Sequence, residues 1–505
     1  MSKQDPIEKN EFEIVETKLG KIKGYIDGNL YIFKGIPYAE PPIGDLRFKP
    51  PVNKKSWSGI LDTTEFGFNA IQGYSFLEEL MGKIEPESED CLNLNIWTPG
   101  IDDKKRPVMF WIHGGAFITG SSKQPMYNGS ALARRGDIVV VSINYRLGCL
   151  GYLYVLGKTA NVGQLDQIAA LKWVKENIEI FGGNPQNVTI FGESAGGMAV
   201  TTLPAMPSAQ GLFHKIIAQS APALEPSNSE KFSKSFLRKF KIKGGNLEDL
   251  RKISPDTLMD IQNQLYAKDP TNALALRPVV DGETLPIHPI EAFKNGKAKN
   301  IDLMIGVNLE EFKLFLLAPN YMNTKDSDYE NMLIGYLGTL GIDKEKSMKI
   351  LEIYKEEDEN YNLRDIFSRV ITDVIFRMYA VRLCEAQHIH QKNVYNYIFT
   401  WKSPMLNGLL GACHALELPF VFQTYNLREM KRLAGKGPDV KNLSDKMIDA
   451  WISFARTGNP NHKGIPEWSP YDLEKRTTMI FGKETSVVED PFQKQREVWG
   501  NKFNI

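Results

Sequence analysis

Residues 188 to 197 read VTIFGESAGG, a short apolar strand pattern that runs directly into a glycine-rich turn around Ser194. Glycines two positions before and two positions after Ser194 remove the Cβ atoms that would collide in a sharp strand-to-helix turn. Such a turn holds its serine in a strained backbone conformation and presents the hydroxyl above a sheet. The motif therefore predicts a nucleophilic Ser194 at the end of a sheet strand, with an ordinary glycine turn as the alternative.

Other short runs resemble Val188–Phe191 because they are largely apolar and rich in β-branched residues. Runs that are apolar on both faces suit the central strands of a parallel sheet that helices cover. These runs are Val108–Ile112, Ile138–Ile143, Lys215–Ala218, Leu303–Val307 and Val394–Trp401, the last strand that the pattern predicts.

A crossover helix is predicted over Leu165–Phe181, where apolar residues recur at three- and four-residue steps. Before the sheet, Phe12–Pro42 has the turns and short strands of an antiparallel meander. The chain is therefore predicted to be α/β, with a large twisted, mostly parallel central sheet flanked by helices and an antiparallel N-terminal edge. We expect a single domain over residues 7–500, with helical insertions at about 227–272 and 319–391.

Charge and composition exclude several classes of function. The chain has 505 residues, of which 42% are hydrophobic, and its 61 basic residues balance 61 acidic ones. A chain without net charge is not expected to bind nucleic acid or an anionic membrane. No phosphate-binding loop, dinucleotide fingerprint or metal cluster is present in the sequence, so we expect no cofactor and no metal.

The four cysteines, Cys91, Cys149, Cys384 and Cys413, are far apart and form no CxxC pair. This spacing suits a reducing compartment. The N-terminus carries charges where a secretory signal would be apolar, and no apolar run reaches the roughly 18 residues that span a bilayer. We therefore expect a soluble, cytoplasmic protein that has a small-molecule substrate and is a monomer by default.

Backbone donors for an anion are predicted in the loop that follows Val108–Ile112. The loop reads His113-Gly114-Gly115-Ala116-Phe117, and its glycines allow backbone N–H groups to face a bound oxyanion. We assign the N–H groups of Gly115, Ala116 and Ala195 to this oxyanion hole. A tight turn without function is the alternative.

A serine hydroxyl needs a base, and the chain has seven histidines. His113 precedes Ser194, whereas in this strand–turn–helix context the base follows the serine and the acid. His388 and His390 lie on a predicted helix and His462 in a polar loop, so each is expected at the surface. His414, in GACHALELPF after the strand Val394–Trp401, is the candidate base, with a buried structural imidazole as the alternative.

The acid that orients the base is expected just after the strand Leu303–Val307. The chain offers Glu310 and Glu311 there, and either carboxylate can accept the imidazole Nδ1–H. Spacing alone does not choose between them, and a solvated acidic pair is the alternative.

These motifs together resemble the type-B carboxylesterases of the cholinesterase-like group, and most of all the bacterial para-nitrobenzyl-esterase-like enzymes. The resemblance runs nearly the full length of the chain. The matching segments are FKGIPYAEPPIGDLRF (33–48), SEDCLNLNIW (88–97), WIHGGAF, FGESAGG, GACHALELPFVF and WISFARTGNPN (451–461).

The resemblance implies an α/β-hydrolase fold, ester hydrolysis without a cofactor, and a triad of Ser194, Glu311 and His414. Glu311 is implied because the second residue of the family's acidic pair is the catalytic one. That pair precedes a glycine in the family, whereas Phe312 stands here. Glu310 remains the alternative acid.

The same resemblance implies a structural salt bridge between Arg47 and Glu89, and it implies that Glu193 and Ser220 support the site electrostatically. Cholinesterases carry a tryptophan shortly before the SEDCL motif that holds a quaternary ammonium. No tryptophan occurs between Phe68 and Glu87, so choline esters are not the expected substrate.

The sequence therefore predicts a serine carboxylesterase that hydrolyses uncharged carboxylic esters through an acyl-enzyme. Two rivals remain at this stage. One is a catalytically inactive adhesion or scaffold protein, because one fold can serve both roles. The other is a lipase that acts on aggregated lipid.

Overall fold

The computed structural model describes residues 11–72, 86–224, 228–269, 272, 274–356 and 362–500. The chain divides into two units: residues 1–217, 224–292 and 455–457 form the first, and residues 218–223, 293–454 and 458–505 form the second. The expectation of one domain over residues 7–500 remains a prediction.

The first unit contains a sheet whose edge is antiparallel and whose later strands are parallel. Strands pair in the order β1-β2-β3-β5-β7-β6-β8-β9, and β4 pairs with β2. Pairing is antiparallel along β1-β2-β3-β5-β7, whereas β4 is parallel to β2 and β6 is parallel to both β7 and β8. The bounds are β1 Phe12–Glu16, β2 Lys21–Asp27, β3 Leu30–Pro37, β4 Ile60–Asp62, β5 Asn93–Thr98, β6 Arg106–Ile112, β7 Val139–Ile143, β8 Gly183–Glu193 and β9 Lys215–Gln219.

Burial explains why β6, β7 and β9 are largely apolar in sequence. Every residue of β6, β7 and β9 is buried, so both faces of each strand are covered. The helices up to residue 294 are α1 Ser130–Gly136, α2 Gly148–Tyr152, α3 Val162–Asn177, α4 Ala195–Thr202, α5 Ser229–Lys239, α6 Leu247–Arg251, α7 Pro255–Lys268 and α8 Pro289–Lys294. The predicted crossover helix is α3, and its last predicted turn, Ile178–Phe181, is a 3₁₀-helix.

The second unit has four strands of its own, which pair in the order β10-β11-β12-β13. Strands β10 (Asp302–Asn308), β11 (Val394–Phe399) and β12 (Thr478–Phe481) are parallel, and β13 (Ser486–Val488) is antiparallel to β12. The prediction that Val394–Trp401 is the last strand is therefore wrong. Strands of four and three residues are too short to give a hydrophobic pattern that distinguishes them from loops.

Helices fill most of the remaining second unit. Their bounds are α9 Pro319–Met322, α10 Tyr329–Thr339, α11 Lys344–Lys355, α12 Leu363–Thr372, α13 Met378–His388, α14 Leu418–Val421, α15 Arg428–Ala434, α16 Pro438–Thr457 and α17 Gln493–Trp499. A π-helical turn, Asp373–Arg377, joins α12 to α13. No helix in the described ranges has the length and the apolar composition needed to cross a bilayer.

A buried ion pair joins the loop after β7 to helix α3 in the first unit. The Arg146 guanidinium donates to both carboxylate oxygens of Asp166, at 2.8 and 2.7 Å, and also to the Lys49 carbonyl oxygen at 2.8 Å. The Asp166 side chain is fully buried, and burial raises its pKa above the ordinary value. The carboxylate therefore depends on the guanidinium for its compensation.

Arg146→Met should lower the free energy of unfolding by about 3 to 5 kcal/mol, because it leaves the buried Asp166 without its counter-charge. Urea unfolding at neutral pH measures this. The matched control is Arg134→Met, whose partner Asp27 is partly exposed and whose loss should cost about 0 to 1 kcal/mol. Equal costs for the two variants would contradict the role given to Asp166.

Candidate active site

The turn after β8 and the loop after β6 leave the sheet at the same edge. Strands β6 and β8 are parallel, and Ile112 pairs with Gly192 in their register. Neighbouring parallel strands end at the same edge of a sheet. The Ser194 turn and the loop that begins at His113 therefore lie side by side. An added Cβ on Gly114 would lie 3.1 Å from the Ser194 Cβ.

Ser194 occupies a strained turn between β8 and α4. Its φ of 57° and ψ of −120° lie outside the regions that non-glycine residues ordinarily adopt. An added Cβ on Gly196 would overlap the carbonyl oxygen of Ile112, and one on Gly192 would lie 2.7 Å from the same oxygen. Both glycines are therefore required by close packing of the turn against β6.

Three consecutive residues of the loop after β6 have positive φ: Gly115 at 110°, Ala116 at 53° and Phe117 at 61°. The Gly115 carbonyl oxygen accepts from the N–H groups of Ile118 and Thr119 at 3.0 and 2.9 Å, which closes the loop. Neither Gly115 nor Ala116 donates a backbone hydrogen bond to any group within the described residues. Two backbone donors of this loop therefore have no acceptor in the part of the chain that the structure describes.

Ala195 contributes a third backbone donor of the same kind. It is the first residue of α4, and the first four N–H groups of a helix have no acceptor within the helix. The positive end of the helix dipole adds to the attraction of an anion at this position.

His113 supports this loop through its buried ring. Its ring is buried, stacks on Tyr145 at 4.5 Å and donates from Nδ1 to the Gly114 carbonyl oxygen at 2.8 Å. Burial lowers the pKa of His113 to about 4, although the bond to Gly114 opposes this change. The imidazole is therefore neutral near pH 7.

The two residues that the resemblance assigns to electrostatic support are both buried. The Glu193 side chain borders the same loop, because an added Cβ on Gly114 would lie 2.9 Å from Glu193 Oε2. Ser220 belongs to the second unit, has a φ of 47° and donates its N–H to the Gly306 carbonyl oxygen at 2.8 Å.

In the second unit, His414 Nδ1 donates to Glu311 Oε2 over 2.6 Å. Both side chains are buried. The backbone of Asn308 donates to the other Glu311 oxygen at 2.7 Å, and the His414 N–H donates to the Glu311 carbonyl oxygen at 3.3 Å. This arrangement fixes the imidazole tautomer with its proton on Nδ1, which makes Nε2 the basic nitrogen.

Glu310 makes different contacts from its neighbour. One of its carboxylate oxygens accepts from the Ala412 N–H at 2.8 Å, and the other pairs with Lys313 Nζ at 2.7 Å. Of the two candidate acids, Glu311 is thus the one bonded to the His414 ring.

Phe312 stands where the resemblance implies a glycine, and the local backbone accepts a side chain there. The residue lies inside the 3₁₀-turn Glu311–Lys313 and does not have positive φ. Its ring packs against Phe315, Tyr321 and Phe367 at centroid distances of 5.4, 5.8 and 5.9 Å.

Two phenyl rings contact the His414 imidazole. Phe315 lies 5.3 Å and Phe376 5.1 Å from it, both in tilted orientations. Phe376 belongs to the π-helical turn between α12 and α13. Neither ring is recognisable from the sequence, because neither belongs to a motif and the π-turn leaves no recognisable pattern.

A second buried carboxylate, also not identified from the sequence, lies close to the acid. Glu417 accepts from Gln219 Nε2 at 2.9 Å and from Asn308 Nδ2 at 2.7 Å, while Trp451 Nε1 donates to Gln219 Oε1 at 3.0 Å. Burial, and secondly the nearby Glu311 charge, raise the pKa of Glu417 to about 6, although the amide bonds oppose this rise. The sequence signal that could have identified Glu417 is the HALE segment, which places a glutamate three residues after His414.

In the first unit, Arg47 forms two hydrogen bonds with Glu89, each of 2.6 Å. Arg47 also donates to the carbonyl oxygens of Arg251 and Ile253 at 2.8 and 2.6 Å. The pair therefore ties the early loop to the helical region around α6.

Other histidines make structural contacts with backbone carbonyls: His390 Nε2 lies 2.7 Å from Lys294 O, and His462 Nε2 lies 3.0 Å from Lys446 O. No group of three or more His, Cys, Asp or Glu side chains within the described ranges is arranged to hold a metal ion.

Comparison with known proteins identifies the family. A sequence model of the carboxylesterase family matches residues 11–499. The chain belongs to the carboxylesterase family. The para-nitrobenzyl esterase of Bacillus subtilis is 38% identical over 495 residues, which cover 96% of this carboxylesterase and 98% of that protein. A cocaine esterase of Homo sapiens is 34% identical over 93% of this chain and 87% of its own.

Solved structures agree with this assignment. A carboxylesterase of Geobacillus stearothermophilus superposes with a TM-score of 0.85 at 37% identity, covering 96% of this chain and 99% of that chain. The fold is the α/β-hydrolase fold, and the protein is a carboxylic ester hydrolase.

The protonation of Glu417 should make stability depend on pH. Its pKa is raised from 4.5 to about 6 in the folded chain. The folded state therefore binds this proton more tightly than the unfolded state, and the resulting stabilisation is complete below about pH 4.5 and is lost as the pH rises through about 6. The free energy of unfolding of the wild type minus that of Glu417→Gln should therefore fall by about 2 kcal/mol as the pH rises through this window.

Urea titrations of both proteins at a series of pH values measure this difference. Any constant cost of placing an amide beside Gln219 and Asn308 cancels, because only the change with pH is compared. A difference that stays constant from about pH 4 to about pH 8 would contradict the raised pKa.

Proposed function

We propose that this carboxylesterase hydrolyses uncharged carboxylic esters in two steps through a triad of Ser194, Glu311 and His414. The observation that carries the proposal is the 2.6 Å hydrogen bond between the buried Glu311 carboxylate and His414 Nδ1. It prepares Nε2 of His414 to act as a base, and the strained turn at Ser194 is the kind that presents a nucleophile.

In the first step, Ser194 Oγ attacks the ester carbonyl carbon while its proton passes to His414 Nε2. The imidazolium that forms is stabilised by the Glu311 carboxylate. His414 then gives this proton to the departing alkoxide, which leaves an acyl group on Ser194. In the second step, His414 takes a proton from a water molecule while the water oxygen attacks the acyl carbon. His414 then returns this proton to Ser194 Oγ as the bond between Oγ and the acyl carbon breaks, which releases the carboxylic acid and restores the serine.

The proposed oxyanion hole consists of the backbone N–H groups of Gly115, Ala116 and Ala195. Its support is that the first two donors have no acceptor among the described residues and that the third begins helix α4. Each donor is expected to stabilise the transition state by about 2 to 4 kcal/mol. Glu193 and Ser220 are proposed to support the site electrostatically.

The expectation of an uncharged substrate rests on the sequence between Phe68 and Glu87, which has no tryptophan to hold a quaternary ammonium. Phe315 and Phe376 place aromatic carbon beside the His414 imidazole. Hydrophobic walls discriminate weakly between substrates, by about 1 to 3 kcal/mol per methylene, so a broad range of esters is expected.

We further propose that this carboxylesterase works as a monomer in the bacterial cytoplasm. Its four cysteines are buried free thiols, which supports a reducing compartment, and the relatives from Bacillus subtilis and Geobacillus stearothermophilus support a bacterial source.

Ser194→Ala should abolish turnover of para-nitrophenyl esters and labelling by a fluorophosphonate probe, because no oxygen nucleophile remains at the turn. Circular dichroism should show an unchanged fold. Ser208→Ala, at an exposed serine in the same unit, is the control and should retain full activity. Normal turnover by a folded Ser194→Ala variant would refute the assignment.

Glu311→Gln should lower kcat about 10³- to 10⁴-fold, because the amide no longer stabilises the imidazolium. Glu310→Gln should cost much less, since that carboxylate bonds to Ala412 and Lys313 and not to the ring. Parallel kcat measurements on the two variants make the comparison, and the reverse ranking would make Glu310 the acid.

A further inference from the structure

The backbone just before the base is held by Glu310. We name residues 410–414, Leu410–His414, the histidine segment. Within it, the Ala412 N–H donates to Glu310 Oε2 at 2.8 Å, and the Ala412 carbonyl oxygen accepts from the Glu310 N–H at 3.0 Å. Gly411 has a φ of 51°, and an added Cβ there would overlap the Glu310 carboxylate. The segment and the carboxylate are therefore packed against each other without room for a side chain.

Lys313 connects this carboxylate to a helix. Its Nζ lies 2.7 Å from Glu310 Oε1 and 3.2 Å from Asp365 Oδ1, on the first turn of α12. The Lys313 and Glu310 side chains are only 14% and 12% exposed. Burial by itself lowers the pKa of Lys313, but the two carboxylates outweigh burial and raise it, so the ammonium stays charged.

Helix α12 makes two further connections to the same region. Near its end, Thr372 Oγ1 accepts from the Phe312 N–H at 3.1 Å. Directly after the helix, the π-helical turn brings Phe376 within 5.1 Å of the His414 ring. The acid-bearing turn, the histidine segment and the His414 ring are thus all anchored to one helix.

The two neighbouring glutamates therefore act on different parts of the base. Glu311 binds the imidazole of His414 through Oε2, whereas Glu310 binds the backbone of Ala412, two residues earlier. A displacement of about 1 Å at a catalytic group can lower a rate about 100-fold, so the backbone position matters as much as the ring contact.

We propose that Glu310 and Lys313, anchored by Asp365, are positioning residues that hold the histidine segment where His414 acts as the base. This role rests on the proposed function of His414. Loss of the Lys313 charge leaves the Glu310 carboxylate bonded to the Ala412 N–H but without the Lys313 cation. The backbone of the histidine segment is then held less firmly.

The test compares Lys313→Met and Lys313→Arg with wild type, using para-nitrophenyl acetate. Lys313→Met should lower kcat about 10-fold with KM changed by less than about 3-fold, because a misplaced base slows chemistry more than binding. Lys313→Arg keeps the cation and should restore kcat to within about 3-fold of wild type. The double variant Glu310→Gln/Lys313→Met should lie within about 3-fold of either single variant, because both disrupt one connection.

Hydrogen exchange gives a readout that does not depend on turnover. Peptides that contain residues 410–414 should exchange faster in Lys313→Met, since the Ala412 N–H loses a firmly held acceptor. The control is Lys355→Met, which removes another interhelical lysine pair of the second unit, with Glu330, and should change neither exchange of the histidine segment nor kcat.

Two results would overturn the positioning role: unchanged kcat in a folded Lys313→Met variant, or unchanged exchange at residues 410–414. A loss of kcat that Lys313→Arg does not restore would also overturn it. A wild-type protein that neither hydrolyses the ester nor reacts with a fluorophosphonate would instead refute the proposed function, and the positioning role with it.

Discussion

The close approach between the Ser194 turn and strand β6 constrains the end of the sheet in the first unit. The carbonyl oxygen of Ile112 lies where an added Cβ of Gly196 would be, and Gly192 faces the same oxygen. This packing forces Ser194 into a backbone conformation that a free chain would rarely adopt. It also sets the start of α4 and brings the loop after β6 alongside, so the Ser194 turn and the backbone N–H groups of Gly115, Ala116 and Ala195 lie at the same end of β6 and β8.

The second unit shows how environment distinguishes chemically identical side chains. Glu310 and Glu311 are adjacent, yet one binds a backbone and a lysine while the other binds the imidazole. Glu417 lies nearby with amide donors on both oxygens, and its raised pKa shows that burial outweighs those bonds. These three carboxylates thus differ in what they contact, and only Glu311 among them bonds to the His414 ring in the described residues.

The accuracy of sequence-based prediction followed the strength of the local pattern. Strands with long apolar runs were predicted correctly because both of their faces are buried, and helix α3 was predicted although it is buried on most of its surface. Strands β12 and β13 were missed because three or four residues give too little periodicity. Phe315 and Phe376 were missed because contacts with His414 depend on a 3₁₀-turn and a π-turn, which have no sequence signature.

By itself the sequence determined the α/β class, the serine turn, the loop of backbone donors and the histidine, because each depends on glycines, apolar runs or chain order that are local and readable. Only the tertiary structure decided which glutamate bonds to His414, how Lys313 links Glu310 to α12, and that Glu417 is buried beside Asn308. These outcomes depend on the directions of side chains that converge from distant segments. Such directions are decided by packing and by satisfaction of buried charge, which no single stretch of sequence records.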